Sequence, residues 1–248
     1  MDDDVKLYCG DCLELMKNIP DKSVDMVLCD MPYGTTRNKW DSVLPLDKIW
    51  KEYRRITKAN SPIVLFSQQP FSATLINSNK KEFKYEWIWQ KDNATGFLNA
   101  HKMPLRIHEN ILVFYRNTPT YNPQMRTGFK PYIIRHNHTS SNYGAQTACV
   151  QTSEGDRFPI DIISFTRDKD KFHPTQKPVK LLEYLINTYT VKGGLVLDNC
   201  MGSGSTAVAC VNTGRKFIGM ELDETYFEIA KERVQKARCA GCQHTLKA

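Results

Sequence analysis

The chain has 248 residues, of which 41% are hydrophobic and 25% charged, with a formal net charge of +7. That length and balance suit one soluble α/β domain with room for an inserted region. No apolar run approaches the ~18 residues of a membrane helix, and the opening Met1-Asp-Asp-Asp does not read as a secretory leader, so a cytoplasmic protein without a membrane partner is expected. The excess of positive charge favours a polyanionic partner.

In chain order, Val5–Cys9 is predicted as a strand, Asp11–Lys17 as a short helix and Val24–Asp30 as a buried strand. Directly after it stand Asp30-Met31-Pro32-Tyr33-Gly34. Leu46–Thr57 places Leu46, Ile49, Trp50, Tyr53 and Ile56 at helical intervals. Pro62–Phe66, Tyr85–Gln90 and Glu109–Tyr115 are further strands. From Arg116 to about Phe158 the chain becomes rich in Asn, Thr, Ser, Pro and Tyr, with more basic than acidic residues. Order returns with helix Val179–Thr190, strand Leu195–Asp198, helix Ser205–Thr213, strand Lys216–Glu221 and helix Glu224–Lys236. This alternation implies a mostly parallel central sheet with helices on both faces, interrupted by a polar insertion that is not a separate globule.

The eight cysteines include two pairs with metal-like spacing, Cys9-Gly-Asp-Cys12 and Cys239-Ala-Gly-Cys242. The pairs lie at opposite ends of the chain. Cys29 and Cys210 sit in apolar surroundings, as buried free thiols of a reducing compartment do. His136 and His138 have no carboxylate or cysteine nearby in sequence, and no metal is expected.

Leu195-Val-Leu-Asp198-Asn-Cys200-Met-Gly202-Ser-Gly204-Ser205-Thr206-Ala207 reads as strand, glycine turn and helix. Gly202, Gly204 and Ala207 satisfy a dinucleotide fingerprint, and Glu221 lies where an acid could hold a ribose. A nicotinamide reading is opposed by Asp198 at the mouth of the turn, which would repel a pyrophosphate and welcome an ammonium group. A nucleoside carrying an amino acid, S-adenosylmethionine, fits better. No Gly-Lys-Ser/Thr follows, which excludes a phosphate-binding P-loop.

Four segments together resemble the β group of DNA amino-methyltransferases, in which the catalytic motif precedes the glycine loop. They are Gly10-Asp11-Cys12, Asp30-Met31-Pro32-Tyr33, His173-Pro174-Thr175-Gln176-Lys177-Pro178, and Asp198 through Thr206 followed by Gly219-Met220-Glu221-Leu222-Asp223. The resemblance covers nearly all of the chain outside the polar insertion. It implies a Rossmann-like, S-adenosylmethionine-dependent methyltransferase fold, with a catalytic half at 1–115, a target-recognition insertion at 116–158 and a cofactor-binding half at 159–248. Asp198, Gly202, Gly204 and Thr206 would line the methionine part of the cofactor, with Cys200 and Ser205 beside them. Glu221, next to Leu222, would hold the ribose. Asp11, next to Cys12, would accept from the cofactor's adenine amine, and Thr175, Gln176 and Lys177 would close over the methionine end.

Asp30, Met31, Pro32 and Tyr33 would form the catalytic motif. An exocyclic amine is a weak nucleophile because its lone pair is delocalised into the ring. The Asp30 carboxylate and the residue 31 carbonyl would accept its two hydrogens, while Tyr33 would stack on the base. Two departures from the family pattern stand out. Met31 occupies a position where the family carries proline, and Asn199-Cys200 replace a usual Pro-Phe. Asp at position 30 favours adenine N6 over cytosine N4, the alternative. A different class remains open, a DNA-binding subunit without activity. The implied partner is double-stranded DNA with a flipped base, contacted by Arg37, Lys39, Arg126, Lys130 and Arg135. A homodimer and a cognate restriction endonuclease are further partners that the resemblance brings, in a bacterial or phage-encoded setting.

Overall fold

The computed structural model describes residues 4–34, 42–136, 139–140, 144–145, 149–170 and 172–245. Its elements run β1 (Val5–Cys9), α1 (Cys12–Met16), β2 (Met26–Cys29), α2 (Leu46–Ile56), β3 (Ile63–Ser67), α3 (Phe71–Ser78), β4 (Phe83–Thr95) and β5 (Arg106–Phe114). Short strands β6 (Tyr132–His136), β7 (Thr139–Ser140), β8 (Gly144–Ala145) and β9 (Cys149–Ser153) follow, then β10 (Ile162–Ser164). The chain closes with α4 (Val179–Tyr189), β11 (Leu195–Asp198), α5 (Ser205–Thr213), β12 (Lys216–Glu221) and α6 (Glu224–Thr245). β1, β11, α5 and β12 fall on their predicted bounds. Sequence reading did not foresee α3, β10 or the continuation of α6 beyond Lys236.

Eight strands form one sheet in the order β1-β12-β11-β2-β3-β5-β4-β10. Every pairing is parallel except those of β5, which runs against both β3 and β4. The alternation of side chains explains why both faces are covered. Met26, Leu28, Val64, Phe66, Ile111 and Val113 pack on one face with residues of α4, α5 and α6. Val27, Cys29, Ile63, Leu65, Leu112 and Phe114 point to the other face, against α1, α2 and α3. The strands are therefore continuous apolar runs, and each carries half of its residues to each core.

This arrangement gathers the acids. β11 pairs with β2 and with β12, and β12 pairs with β1, all parallel. Asp198, Asp30, Glu221 and Asp11 therefore stand at or just past the carboxyl ends of four neighbouring strands. The helices after β11 and after β2 lie on opposite faces, so β11 and β2 flank a switch point where such sheets open a crevice.

A second compact unit spans Pro123–Ile160, while the rest forms the body just described. It is built on the antiparallel pair β6–β9, and β7–β8 forms a short ladder of its own. Residues 116–122, polar like the insertion, belong to the main body. Arg116 donates to the carbonyls of Arg54, Thr57 and Lys58, and the Asn122 N–H donates to the Thr188 carbonyl. Composition could not separate these residues, because polarity alone does not say where a chain's hydrogen bonds go.

Candidate active site

Around the glycine loop, polar groups are satisfied by near neighbours. Asp198 is buried, its Oδ1 accepting from the Cys200 N–H at 3.1 Å and its Oδ2 from the Thr206 hydroxyl at 2.6 Å. Burial lifts its carboxyl to about 6, against the pull of those donors. Glu221 accepts from the Gly202 N–H at 2.8 Å and the Asp223 N–H at 2.9 Å, and burial raises its carboxyl as well. Asp11 caps α1, taking the Leu13 N–H at 2.7 Å.

Gly204 has a reason to be glycine beyond its φ of +78°, since a Cβ there would lie 2.8 Å from the Cβ of Ala230 on α6. The Ser205 hydroxyl accepts from Arg233 of α6 at 3.1 Å, and the same guanidinium reaches the Ser203 carbonyl at 2.7 Å. Arg233, absent from the sequence reading, thus braces the loop from the neighbouring helix. Leu222 is exposed at the rim of this crevice.

The departures at residues 199 and 200 have a structural partner. Asn199 is buried and accepts from the Tyr53 hydroxyl of α2 at 2.5 Å. Its Nδ2 donates to the sulfurs of Cys12 at 3.7 Å and Cys200 at 3.5 Å. Cys12 is thus engaged inward while Cys9 is exposed. Among the described residues no group of three or more His, Cys, Asp or Glu is placed to hold a metal, and the side chain of Cys242 lies outside them. Met31 is 2% exposed and packs in the α1–α3 core, with its sulfur 3.9 Å from the Tyr53 hydroxyl. Its side chain is a core residue, so the position demands an apolar filler there.

Around Asp30, by contrast, the charged partner comes from far along the chain, and only Tyr33 is local. The Lys177 ammonium lies 2.6 Å from Asp30 Oδ2, and the Tyr33 hydroxyl donates to Oδ1 at 2.5 Å. Lys177 also contacts Glu109 of β5 at 3.1 Å, and Glu109 in turn pairs with Lys91 of β4. Burial raises the Asp30 carboxyl above its usual range, Lys177 pulls it back, and Glu109 adds to the rise. The Lys177 ammonium is held well above its ordinary value, because its two carboxylates outweigh its burial. Tyr33 stacks on Phe71 at the start of α3, with ring centroids 5.3 Å apart.

Neither Glu109, Lys91 nor Phe71 was singled out in the sequence. A signal for Glu109 existed: it shares the alternation of Ile111 and Val113, which places a carboxylate on a core face.

Gln176 donates to the Asp168 carboxylate at 3.0 Å and the Asp170 carbonyl at 3.2 Å, and its Oε1 accepts from the Phe172 N–H at 3.1 Å. It ties its own loop together. Thr175 approaches His173 Nδ1 at 3.0 Å through its hydroxyl, and His173 packs edge-on to Tyr226 of α6. Burial and the nearby Lys177 charge lower the His173 pKa.

Within the second unit, the Arg126 guanidinium donates to the Phe158 carbonyl at 3.1 Å and lies over the Phe129 ring. Arg157 lies over Phe129 and Tyr132, so both arginines help to build the unit. Lys130 is exposed. Arg37, Lys39 and the side chain of Arg135 lie outside the described residues.

The sheet, its switch point and the ring of acids define an α/β methyltransferase fold. A family model described as DNA methylase, with the label N6_N4_Mtase, matches residues 24–232. The chain belongs to this DNA methylase family, whose label joins N6 and N4 amine methylation. It is 25% identical to the type II methyltransferase M.HpaI of Haemophilus parainfluenzae, over 93% of this chain and 74% of that protein. Against the DNA adenine methyltransferase YhdJ of Escherichia coli K12 the identity is 26%, over 92% of this chain and 82% of that one. Among solved structures, M1.HpyAVI in complex with SAM superposes with a TM-score of 0.65 at 24% identity, covering 92% of this chain and 99% of that one. The cytosine-N4-specific PvuII DNA methyltransferase gives a TM-score of 0.70 at 15% identity, covering 93% of this chain and 86% of that one.

Proposed function

We propose that this chain transfers a methyl group from S-adenosylmethionine to the N6 amine of an adenine turned out of double-stranded DNA, leaving S-adenosylhomocysteine. The observation that carries this reading is Asp30, a carboxylate at the end of β2 that is held by a lysine and a tyrosine beside the glycine loop.

The residues at the crevice fit the cofactor. Asp198, Glu221 and Asp11 offer carboxylates to an ammonium group, a ribose and an adenine amine. Gly202 and Gly204, both with positive φ, keep the backbone approachable. Cys12, Cys200, Ser205 and Thr206 pack around that loop, exposed Leu222 offers an apolar surface to a base, and Thr175 and Gln176 shape the facing loop. Bound there, the cofactor supplies an electrophilic methyl group on a sulfonium centre.

The chain's own residues prepare the nucleophile. Asp30 accepts one hydrogen of the target amine and the residue 31 carbonyl the other, which frees the nitrogen lone pair. Pro32 fixes the backbone just after them, and Tyr33, backed by Phe71, offers its ring to the base. A base stacked inside the duplex cannot bring its amine to Asp30, so the target base is taken out of the duplex.

The second unit reads the DNA. Lys130 and Arg126, with Arg135, Arg37 and Lys39, supply positive charge for phosphates, so affinity falls steeply with salt. Adenine is favoured by the aspartate at position 30, and the name of YhdJ states adenine for that relative. The naming of M.HpaI as a type II enzyme supports a restriction-modification setting, where a cognate endonuclease and a homodimer are the natural partners. Action in the cytoplasm of a bacterium or a phage-infected cell goes with that setting; among the described residues no helix is long and apolar enough to cross a membrane.

Modified-base sequencing of DNA from cells expressing the chain tests the reading. N6-methyladenine in one short recurring sequence is expected. N4-methylcytosine, or unmodified DNA, contradicts it.

A further inference from the structure

Two charges, Glu109 buried and Lys91 half-buried, stand behind Asp30 and take no part in the transfer described above. Glu109 on β5 faces Trp89 of β4 in register, and Lys91 lies two residues further along β4. Lys91 pairs with Glu109 Oε1, while the Lys177 ammonium lies 3.1 Å from Oε2 and 2.6 Å from Asp30 Oδ2. Oε2 of Glu109 is buried and receives no hydrogen bond of proper geometry, so its link to Lys177 is a charge contact. The rings of Phe66 and Tyr33 lie 5.2 and 6.0 Å from the same ammonium, and Lys177 is 7% exposed. Water is largely excluded from Lys177 and Glu109, while Asp30 keeps an exposed edge, and the four charges Lys91, Glu109, Lys177 and Asp30 alternate in sign and cancel.

We propose that Glu109 is a positioning residue for methyl transfer: it holds the Lys177 ammonium between two carboxylates, so that Asp30 stays ionised yet remains a strong acceptor for the target amine. The proposal rests on the reading of Asp30 as that acceptor. A lysine committed to Asp30 alone would match its charge fully and weaken it towards a neutral amine. With Glu109 competing, Lys177 keeps to Oδ2, and Oδ1 is left for a hydroxyl or an amine. In this structure the occupant of Oδ1 is the Tyr33 hydroxyl, which the target amine displaces. A buried charge row of this kind costs desolvation at every member and is poor value for stability alone.

The groups facing Asp30 are Lys177 before α4, Tyr33 and Cys29 on its own segment, Glu109 from β5 and Asp198 at the end of β11. Lys177 in turn faces His173. The negative charge of Glu109 raises the Asp30 carboxyl, whereas Lys177 lowers it. The two partners therefore move the protonation of Asp30 in opposite directions.

The test compares Glu109→Gln, Lys177→Met and the unaltered protein, with saturating S-adenosylmethionine and duplex DNA. In E109Q, kcat falls by about tenfold to a hundredfold. The KM for the cofactor and the dissociation constant for DNA stay as they were, and the acid limb of the kcat profile moves to lower pH. In K177M the acid limb moves to higher pH. If E109Q does not fold, Lys91→Met serves in its place: with Lys91 gone, Glu109 draws Lys177 more strongly, and the acid limb moves up.

A kcat and profile unchanged by E109Q overturn the proposal, as does a fall in kcat with no movement of the acid limb. A loss confined to the KM for the cofactor overturns it too, by placing Lys177 with the cofactor. No transfer by the unaltered protein overturns the methylation reading and this proposal with it. Transfer that survives E109Q unchanged overturns this proposal alone.

Discussion

The two sides of the crevice satisfy their acids in different ways. At the glycine loop, Asp198, Glu221 and Asp11 take backbone N–H groups and hydroxyls, mostly from their own turns. Beside β2, Asp30 and Glu109 take lysines that enter from β4 and from the segment before α4. Local satisfaction needs only a short run of sequence and makes a preformed cradle. Long-range satisfaction needs the whole sheet to form before the charges meet. The first arrangement suits the binding of a cofactor, and the second suits the tuning of a reactive carboxylate.

Breaking the long-range side has the largest expected effect. Asp30→Ala leaves the target amine without its acceptor, and methyl transfer falls by about a thousandfold or more while duplex binding persists. Radiolabelled methyl incorporation and gel-shift titration measure the two separately. Turnover close to that of the unaltered protein would remove Asp30 from the chemistry.

The cradle side responds in affinity. With its carboxyl at about 6, Asp198 is ionised above that pH and becomes protonated as the pH falls through it. An ammonium partner prefers the carboxylate, so cofactor affinity is full above about 6 and declines below it. Asp198→Asn weakens binding by about tenfold at neutral pH and flattens this dependence. Calorimetric titration across pH checks both outcomes, and an unaltered slope in the variant assigns the dependence to another group.

Gly204→Ala separates packing from binding. The added methyl meets Ala230 in a backbone with positive φ, so the fold loses about 1 to 3 kcal/mol, seen as a lower thermal midpoint. An unchanged midpoint would mean that α6 yields easily. The smallest effect belongs to Met31→Pro, where an apolar core filler is exchanged and the backbone carbonyl is kept. A change in kcat of less than about threefold is expected, because the carbonyl is kept and the turn is preorganised, while the smaller ring leaves part of the Met31 core volume unfilled and lowers stability.

The same contrast governs what could be read from sequence. β11, the glycine turn, α5 and β12 were legible because periodicity, a glycine pair and a terminal acid all lie within one short stretch. Asp30 was legible from its motif, yet its setting was not. Nothing in Asp-Met-Pro-Tyr announces Lys177, and Lys177 itself reads as a neighbour of the cofactor when only its own motif is considered. Glu109 shows the limit most clearly, because a charge on a core face is visible by counting but its partner is not. Asn199 and Tyr53 are similar: two residues from distant segments meet only after α2 packs on the sheet. The helix α3 escaped because Phe71–Ser78 carries little amphipathic contrast, and its Phe71 both fills the core and backs Tyr33.

The most direct measurement is nucleoside mass analysis of duplex DNA incubated with the protein and S-adenosylmethionine carrying an isotopically labelled methyl group. Labelled N6-methyladenine is expected with the unaltered chain and none with Asp30→Ala. Label found on cytosine N4, or label on adenine that persists in the Asp30→Ala variant, contradicts the assignment.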